Sequence, residues 1–240
     1  MFAGYQLVLF PNSVYIRNKN HPHVARCQKA YCCNKNFTII LRDSQSYGLA
    51  KELFTGETKL LMAPDMAFQI GNIPRFQSPV FDVMWIKRKD GETPGYDQRS
   101  IPRHSPDIRV HISDWWTFKT NTAPSSLERA FYIATNGFAF LSRGRVVVSD
   151  RLHGHILSTL MNIPHVLIDN KEKKLSAYHN TWTRGLDNTL LTDKPVEALP
   201  MVIELLDTYK DQVPPRVPFL DIGEHFSPVN FTAQEYITYP

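Results

Sequence analysis

The sequence predicts an α/β fold of parallel strands arranged in two halves, on three observations. Short apolar runs recur along the chain, amphipathic stretches separate them, and Pro, Gly or Asn closes most of them. Runs that short suit buried strands. Their alternation with helices is the pattern of βαβ units, whose right-handed crossovers bring every strand's C-terminal end to one side, where ligands bind. The 240 residues suffice for one large domain or two small ones sharing an interface. A composition of 42% hydrophobic and 21% charged residues excludes a disordered tail, a coiled coil and a collagen-like repeat.

In the first half the run 7–10 stops at Pro11 and Asn12 and reads as a strand, the mixed stretch 24–34 as a helix, and 37–41 as the second strand. A helix over 44–54 follows, with Leu49, Ala50, Leu53 and Phe54 facing inward, Lys51 and Glu52 facing away, and Gly56 as its stop. The run 59–62 is the third strand. Loops at 71–79 and 90–106, rich in Pro and Gly, bracket the strand 81–86 that opens the second half. There the reading continues through a strand at 109–112, a helix at 125–143, a strand at 145–149 and a helix at 152–161. A strand at 165–168, a short strand at 189–191 and an amphipathic helix at 196–209 complete it. The expected organisation is residues 1–78, residues 79–212 and a Pro-rich extended tail over 213–240. Val146, Val147 and Val148 in a row call for burial on both faces, so their strand should be central.

The net charge is +4 and no Lys/Arg block concentrates it, which favours small acidic ligands over nucleic acid. No run approaches the ~20 apolar residues of a transmembrane segment. The first ten residues are apolar but have no basic start and no small-residue cleavage site, so they read as a strand and give no cellular address. Cys27, Cys32 and Cys33 form an odd set with an adjacent pair and read as reduced thiols. His23 and Cys27 stand one helical turn apart with His21 close by; ordinary helix positions account for them, and no metal site is assigned. Nothing in the sequence sets an oligomeric state.

The junction Ser149-Asp150-Arg151-Leu152-His153-Gly154 is the richest in chemistry. Unpaired N–H groups and the positive end of a helix dipole make an anion site there, and the Arg151 guanidinium adds a planar clamp for phosphate or carboxylate. His153, in the first turn, is placed to act as a general acid or base near neutral pH. A plainer reading stands beside this one, with Asp150 only an N-cap and Arg151 and His153 solvated. Arg42 repeats the design at the end of Ile39-Ile40-Leu41, followed in Asp43-Ser44 by a capping-type residue that opens a helix, or else forms a surface salt bridge. The two junctions are expected to face one cleft and to hold a ligand with two anionic groups. Arg88, in the charged turn from Lys87 to Glu92, is either a further anion contact or part of a solvated turn. Trp115 and Trp116 are sugar-stacking candidates or core aromatics. Asn36 and Asn230 begin glycosylation sequons short enough to arise by chance.

The run Asp150-Arg151-Leu152-His153-Gly154, continued by His155-Ile156-Leu157-Ser158-Thr159-Leu160, Ile163-Pro164-His165 and Asp169-Asn170, resembles the polysaccharide pyruvyltransferase family. Leu9-Phe10-Pro11-Asn12-Ser13, Arg42-Asp43 with Ser46, Pro64-Asp65-Met66-Ala67, Arg88 with Asp90 and Glu92, and Ser176-Ala177-Tyr178 with Thr181-Trp182 follow in the family's order. The resemblance implies a glycosyltransferase-B-like pair of Rossmann-like halves. It implies an enzyme that moves a pyruvyl group from phosphoenolpyruvate to a sugar of a polysaccharide or glycan as a ketal, with phosphoenolpyruvate as donor substrate and no separate cofactor. By the same resemblance Arg42 and Arg151 hold phosphoenolpyruvate and His153 is the catalytic histidine. The family carries a longer N-terminal segment with a Gly-rich loop, so this chain reads as N-terminally truncated, its first half an incomplete sheet with an uncovered edge. Two other functions fit the same architecture: a nucleotide-sugar glycosyltransferase, and an inactive truncated glycan-binding relative.

Overall fold

A computed structural model describes residues 5–32, 35–54, 56–97, 99, 101, 107–114 and 127–216. The expectations for Cys33, Trp115, Trp116, Asn230 and the tail beyond residue 216 lie outside the described residues. The fold is α/β, and both of its sheets are parallel.

The first sheet holds β1 (Leu7–Asn12), β2 (Phe37–Leu41) and β3 (Lys59–Met62) in that spatial order, joined by α1 (Pro22–Tyr31) and α2 (Ser44–Leu53). Sequential strands with right-handed crossovers put both helices on one face. Ile39 and Leu41 accordingly pack with Val24 of α1 and with Ala50 and Leu53 of α2 in one cluster. Among the described residues the other face has no such cover: Thr38 aligns with Val8, Ile40 aligns with Leu61, and Val8 and Leu61 are exposed. Asp43 caps α2 by accepting from the Ser46 N–H at 2.7 Å, the role its place after the strand suggested.

The second sheet runs β5-β4-β6-β7-β8 in space. Its strands are β4 (Phe81–Ile86), β5 (Val110–Ser113), β6 (Gly144–Ser149), β7 (His165–Ile168) and β8 (Thr189–Thr192). The strand with the three valines, β6, is the middle one. Helices α3 (Leu127–Ser142) and α4 (Leu152–Leu160) cover one face, where Phe140, Leu141 and Ile156 meet Met84, Ile86 and Val147. On the other face Ala198, Val202 and Leu205 of the helix that follows β8 meet Val83, Trp85, Val148 and Val166. With both faces covered, every residue of β4 is buried. The segment linking the sheets packs on the second: Ile73 joins its core and donates its N–H to the Leu160 carbonyl at 2.9 Å.

Between β7 and β8 the chain forms α5 (Lys174–Tyr178) and a π-helical turn, His179–Thr183, before the final helix α6 (Ala198–Thr208). Neither of the first two was expected, because five residues carry too little periodicity to be read. No helix among the described residues is long and apolar enough to cross a membrane.

Candidate functional site

Strand order reverses at β4 and β6: β5 lies beyond β4, and β7 and β8 lie beyond β6. The C-terminal ends of such a pair are where open α/β sheets take ligands. Arg88 follows β4, and Asp150 and Arg151 follow β6. The buried Asp150 carboxylate ties the two ends together, accepting the Arg88 N–H with both oxygens at 2.9 and 3.2 Å. Burial pushes its carboxyl up to about 6, against the pull of that hydrogen bond and of the Arg88 and Arg151 charges. Asp150 is therefore not the helix cap of the plainer sequence reading. Arg151 holds the N-cap position without a side-chain bond to the helix, and Ser149 Oγ accepts its N–H at 3.0 Å. Gly154 is required by close approach, since a Cβ there would collide with Ser149 Oγ.

The two arginines at this reversal share a carboxylate. Arg88 donates from Nε and Nη2 to Asp90 at 2.8 and 3.0 Å and from Nη1 to Glu92 at 2.7 Å. Arg151 donates from Nε and Nη2 to Asp114 at 2.7 Å each, and Nη2 also reaches Asp90 at 3.2 Å. The Arg88 hydrogen bond holds the Asp90 carboxyl at about 2, well below its usual range. Burial works against a charged Glu92, yet Lys174 at 3.0 Å and Arg88 keep its carboxyl low. The pair is thus a charge-compensated network rather than a bare anion site. Asp90 and Glu92, with side chains 33% and 32% exposed, are the partners an incoming anion can replace.

A second group forms where the two sheets meet. Arg42, after β2, donates from Nε to Ser13 Oγ at 2.9 Å and from Nη1 to Asp65 Oδ2 at 2.7 Å. Its Nη2 has no hydrogen bond among the described residues. Asp65, after β3, accepts the Ala67 N–H at 3.0 Å and donates its own N–H to Tyr178 Oη at 3.1 Å. His153 Nε2 lies 3.8 Å from Asp65 Oδ2 with a side chain 54% exposed. Desolvation lowers the His153 pKa and the Arg42 charge lowers it further, with Asp65 opposing, so the ring is neutral at pH 7 and able to accept a proton. The structure therefore joins Arg42 to His153 through Asp65, and Arg88 to Arg151 through Asp90. The first turn of α4 connects the two groups, because Arg151 and His153 stand two residues apart.

Behind this site runs a buried hydrogen-bonded chain with one consistent set of proton positions. The Ile163 carbonyl can only accept, so the proton of His165 sits on Nδ1 (2.7 Å) and its Nε2 accepts from His155 Nδ1 (2.7 Å). His155 Nε2 must then accept from the Thr183 hydroxyl (2.8 Å), which accepts from His179 Nδ1 (3.0 Å). All three rings are neutral: burial holds His155 well below its ordinary value, His165 at about 4, and His179 low. The chain fastens the π-helical turn to α4 and β7. The turn's front reaches the first sheet, where Thr181 Oγ1 accepts the Ser44 N–H at 3.0 Å and Trp182 Nε1 donates to the Arg42 carbonyl at 2.9 Å.

A family model described as polysaccharide pyruvyl transferase matches residues 1–172, a span that holds Arg42, Asp65, Arg88, Arg151 and His153. The chain belongs to this family. It is 33% identical over 220 residues to Pyruvyl transferase 1 of Schizosaccharomyces pombe, covering 85% of this chain and 54% of that protein. It is 28% identical over 207 residues to EpsO of Bacillus subtilis, covering 79% and 63%. The chain therefore spans between half and two thirds of the length of these two relatives. In fold it resembles the crystal structure of an uncharacterized protein from Klebsiella pneumoniae, with a TM-score of 0.54 and 18% identity, covering 78% of this chain and 63% of that one.

Within this pyruvyl transferase family member, the reading of the residues assigned no role to Asp65, Asp90 or Asp114. Asp65 and Asp114 each lie just past a strand's C-terminal end, the position that had singled out the arginines, and that shared position was the available signal. Which acid meets which arginine is set by strand order, and no local pattern encodes it.

Proposed function

We propose that the chain binds phosphoenolpyruvate and transfers its pyruvyl group to two hydroxyls of a glycan sugar as a ketal, on a glycosyltransferase-B-like pair of Rossmann-like halves. The observation that carries this is the position of His153 in the first turn of α4, 3.8 Å from an aspartate that also holds Arg42. Arg42 Nη2 takes one anionic end of the donor and Arg151 the other, exchanging Asp90 for it. Arg88, with all three nitrogens engaged, joins once Glu92 turns away.

In the reaction a proton adds to the methylene carbon of the enol, and a sugar hydroxyl adds to the central carbon, which has oxocarbenium character. A second hydroxyl then displaces phosphate. One hydroxyl proton balances the new methyl group and the other leaves with phosphate. His153 accepts a hydroxyl proton, and Asp65 favours the imidazolium that forms.

The test is phosphate release from phosphoenolpyruvate with hexopyranoside acceptors, read with mass spectrometry of the acceptor. Acceptor-dependent phosphate together with a ketal product supports the reading. Thermal stabilisation by uridine diphosphate but not by phosphoenolpyruvate would replace it with the nucleotide-sugar alternative.

A further inference from the structure

The π-helical turn exposes two of its five residues, Asn180 and the aromatic Trp182. Tyr178, His179 and Thr183 are buried, whereas Trp182 is 39% exposed. A π turn is a rare, widened conformation that recurs at functional sites. Here it is fastened from behind by Thr183 to His155 and His179, and in front by Thr181 to Ser44. The indole itself is pinned, because Nε1 donates to the Arg42 carbonyl at 2.9 Å. Its polar edge is thus spent on the residue whose side chain grips Asp65 beside His153, while the ring remains open to solvent. A pinned, partly exposed aromatic face, anchored to the residue that grips Asp65, matches a pyranose, which has an apolar C–H face to stack and hydroxyls to present.

We propose that Trp182 is the stacking platform for the acceptor sugar ring, holding two of its hydroxyls toward His153. This rests on the pyruvyl-transfer reading and names the acceptor side of the same site. It makes the acceptor subsite composite, with Trp182 from the second half of the chain and the Arg42 and Asp65 strand ends from the first.

Saturation-transfer difference NMR on the full chain tests it, with methyl β-glucopyranoside, β-galactopyranoside and β-mannopyranoside as probes. Phosphoenolpyruvate binding is followed separately by thermal shift. At least one probe should show transfer concentrated on its ring C–H protons. Trp182→Leu, which keeps bulk without an aromatic face, should lower that transfer at least fivefold, and Trp182→Phe, which keeps a ring, should retain part of it. Both variants lose the Nε1 bond to the Arg42 carbonyl, so phosphoenolpyruvate stabilisation should change equally in the two, and only sugar transfer should separate Trp182→Phe from Trp182→Leu. Transfer in Trp182→Leu equal to the parent, or no transfer from any probe in the parent, overturns the platform even where phosphoenolpyruvate binds. A parent that ignores phosphoenolpyruvate yet loses sugar contact in Trp182→Leu overturns pyruvyl transfer and leaves the platform standing.

Discussion

The two sheets obey the same βαβ rule and reach opposite degrees of closure. In the second, helices lie on both faces and β4 is buried along its whole length. In the first, both helices lie on one face, and Val8, Phe10 and Leu61 remain exposed, Phe10 at 63%. The difference lies in strand order. Sequential order stacks the first sheet's crossovers on one side, whereas in the second the β4–β5 connection, through Tyr96 and Ile101, and helix α6 cover the face opposite α3 and α4. Arg42 and Asp65 therefore sit on the thinner sheet, and their placement depends on three bonds to the closed one: Asp65 to Tyr178, Ser44 to Thr181 and Trp182 to Arg42.

The sharpest contrast is mechanical. Trp85→Ala, emptying a fully buried site in β4, should cost about 3–5 kcal/mol. Leu61→Ala on the open face of β3 should cost less than about 0.5 kcal/mol, both read from urea midpoints. Similar losses at the two positions would show that something covers the open face in solution.

His153→Gln keeps size and polarity but cannot carry a proton. It should lower turnover about a hundredfold while phosphoenolpyruvate affinity stays within a few-fold. Because partial desolvation of the His153 ring and the Arg42 charge hold its pKa below the ordinary value against the pull of Asp65, the acidic limb of the parent's rate profile should fall below about 6.5. Unchanged turnover in the variant would leave His153 as a first-turn residue only.

Acid should loosen the second sheet through its histidine chain. The folded pKa values of His155, His165 and His179 are depressed, so the unfolded chain takes up protons first as pH falls. Stability is therefore complete above about 6.5 and declines toward about 4, where His165 titrates in the fold. His165 alone should account for about 2 kcal/mol between pH 7 and 5. Asp150, raised to about 6, works in the opposite direction and offsets part of the decline. A flat stability profile over this range, by chemical denaturation, would contradict the neutral assignment.

Arg151→Lys keeps charge but loses the two-pronged contact with Asp114, and phosphoenolpyruvate binding should weaken by roughly 1–3 kcal/mol. Arg42→Lys should weaken it by a similar amount if the thinner sheet contributes equally to the donor site. Calorimetry on the two variants, with only one of them weakened, would assign the donor to a single sheet.

Much of the fold was legible because its signals are local. Short apolar runs marked the described strands, Asp43 marked the start of α2, and the valines of β6 announced a strand buried on both faces. Arg42, Arg88, Arg151 and His153 were legible for the same reason, since each follows an apolar run at a strand end or opens a helix. The partners of those residues were not. Asp114 meets Arg151 because β5 lies beside β4, and Asp65 meets His153 because the end of β3 faces the start of α4. The π-helical turn depends on a histidine chain drawn from three separate segments, and it brings Trp182 to a carbonyl 140 positions away. Side-chain type and spacing are properties of a neighbourhood in the chain and set which chemistry is present. Strand order and the burial that neutralises the histidines are properties of the assembled core, and they decide which charges meet.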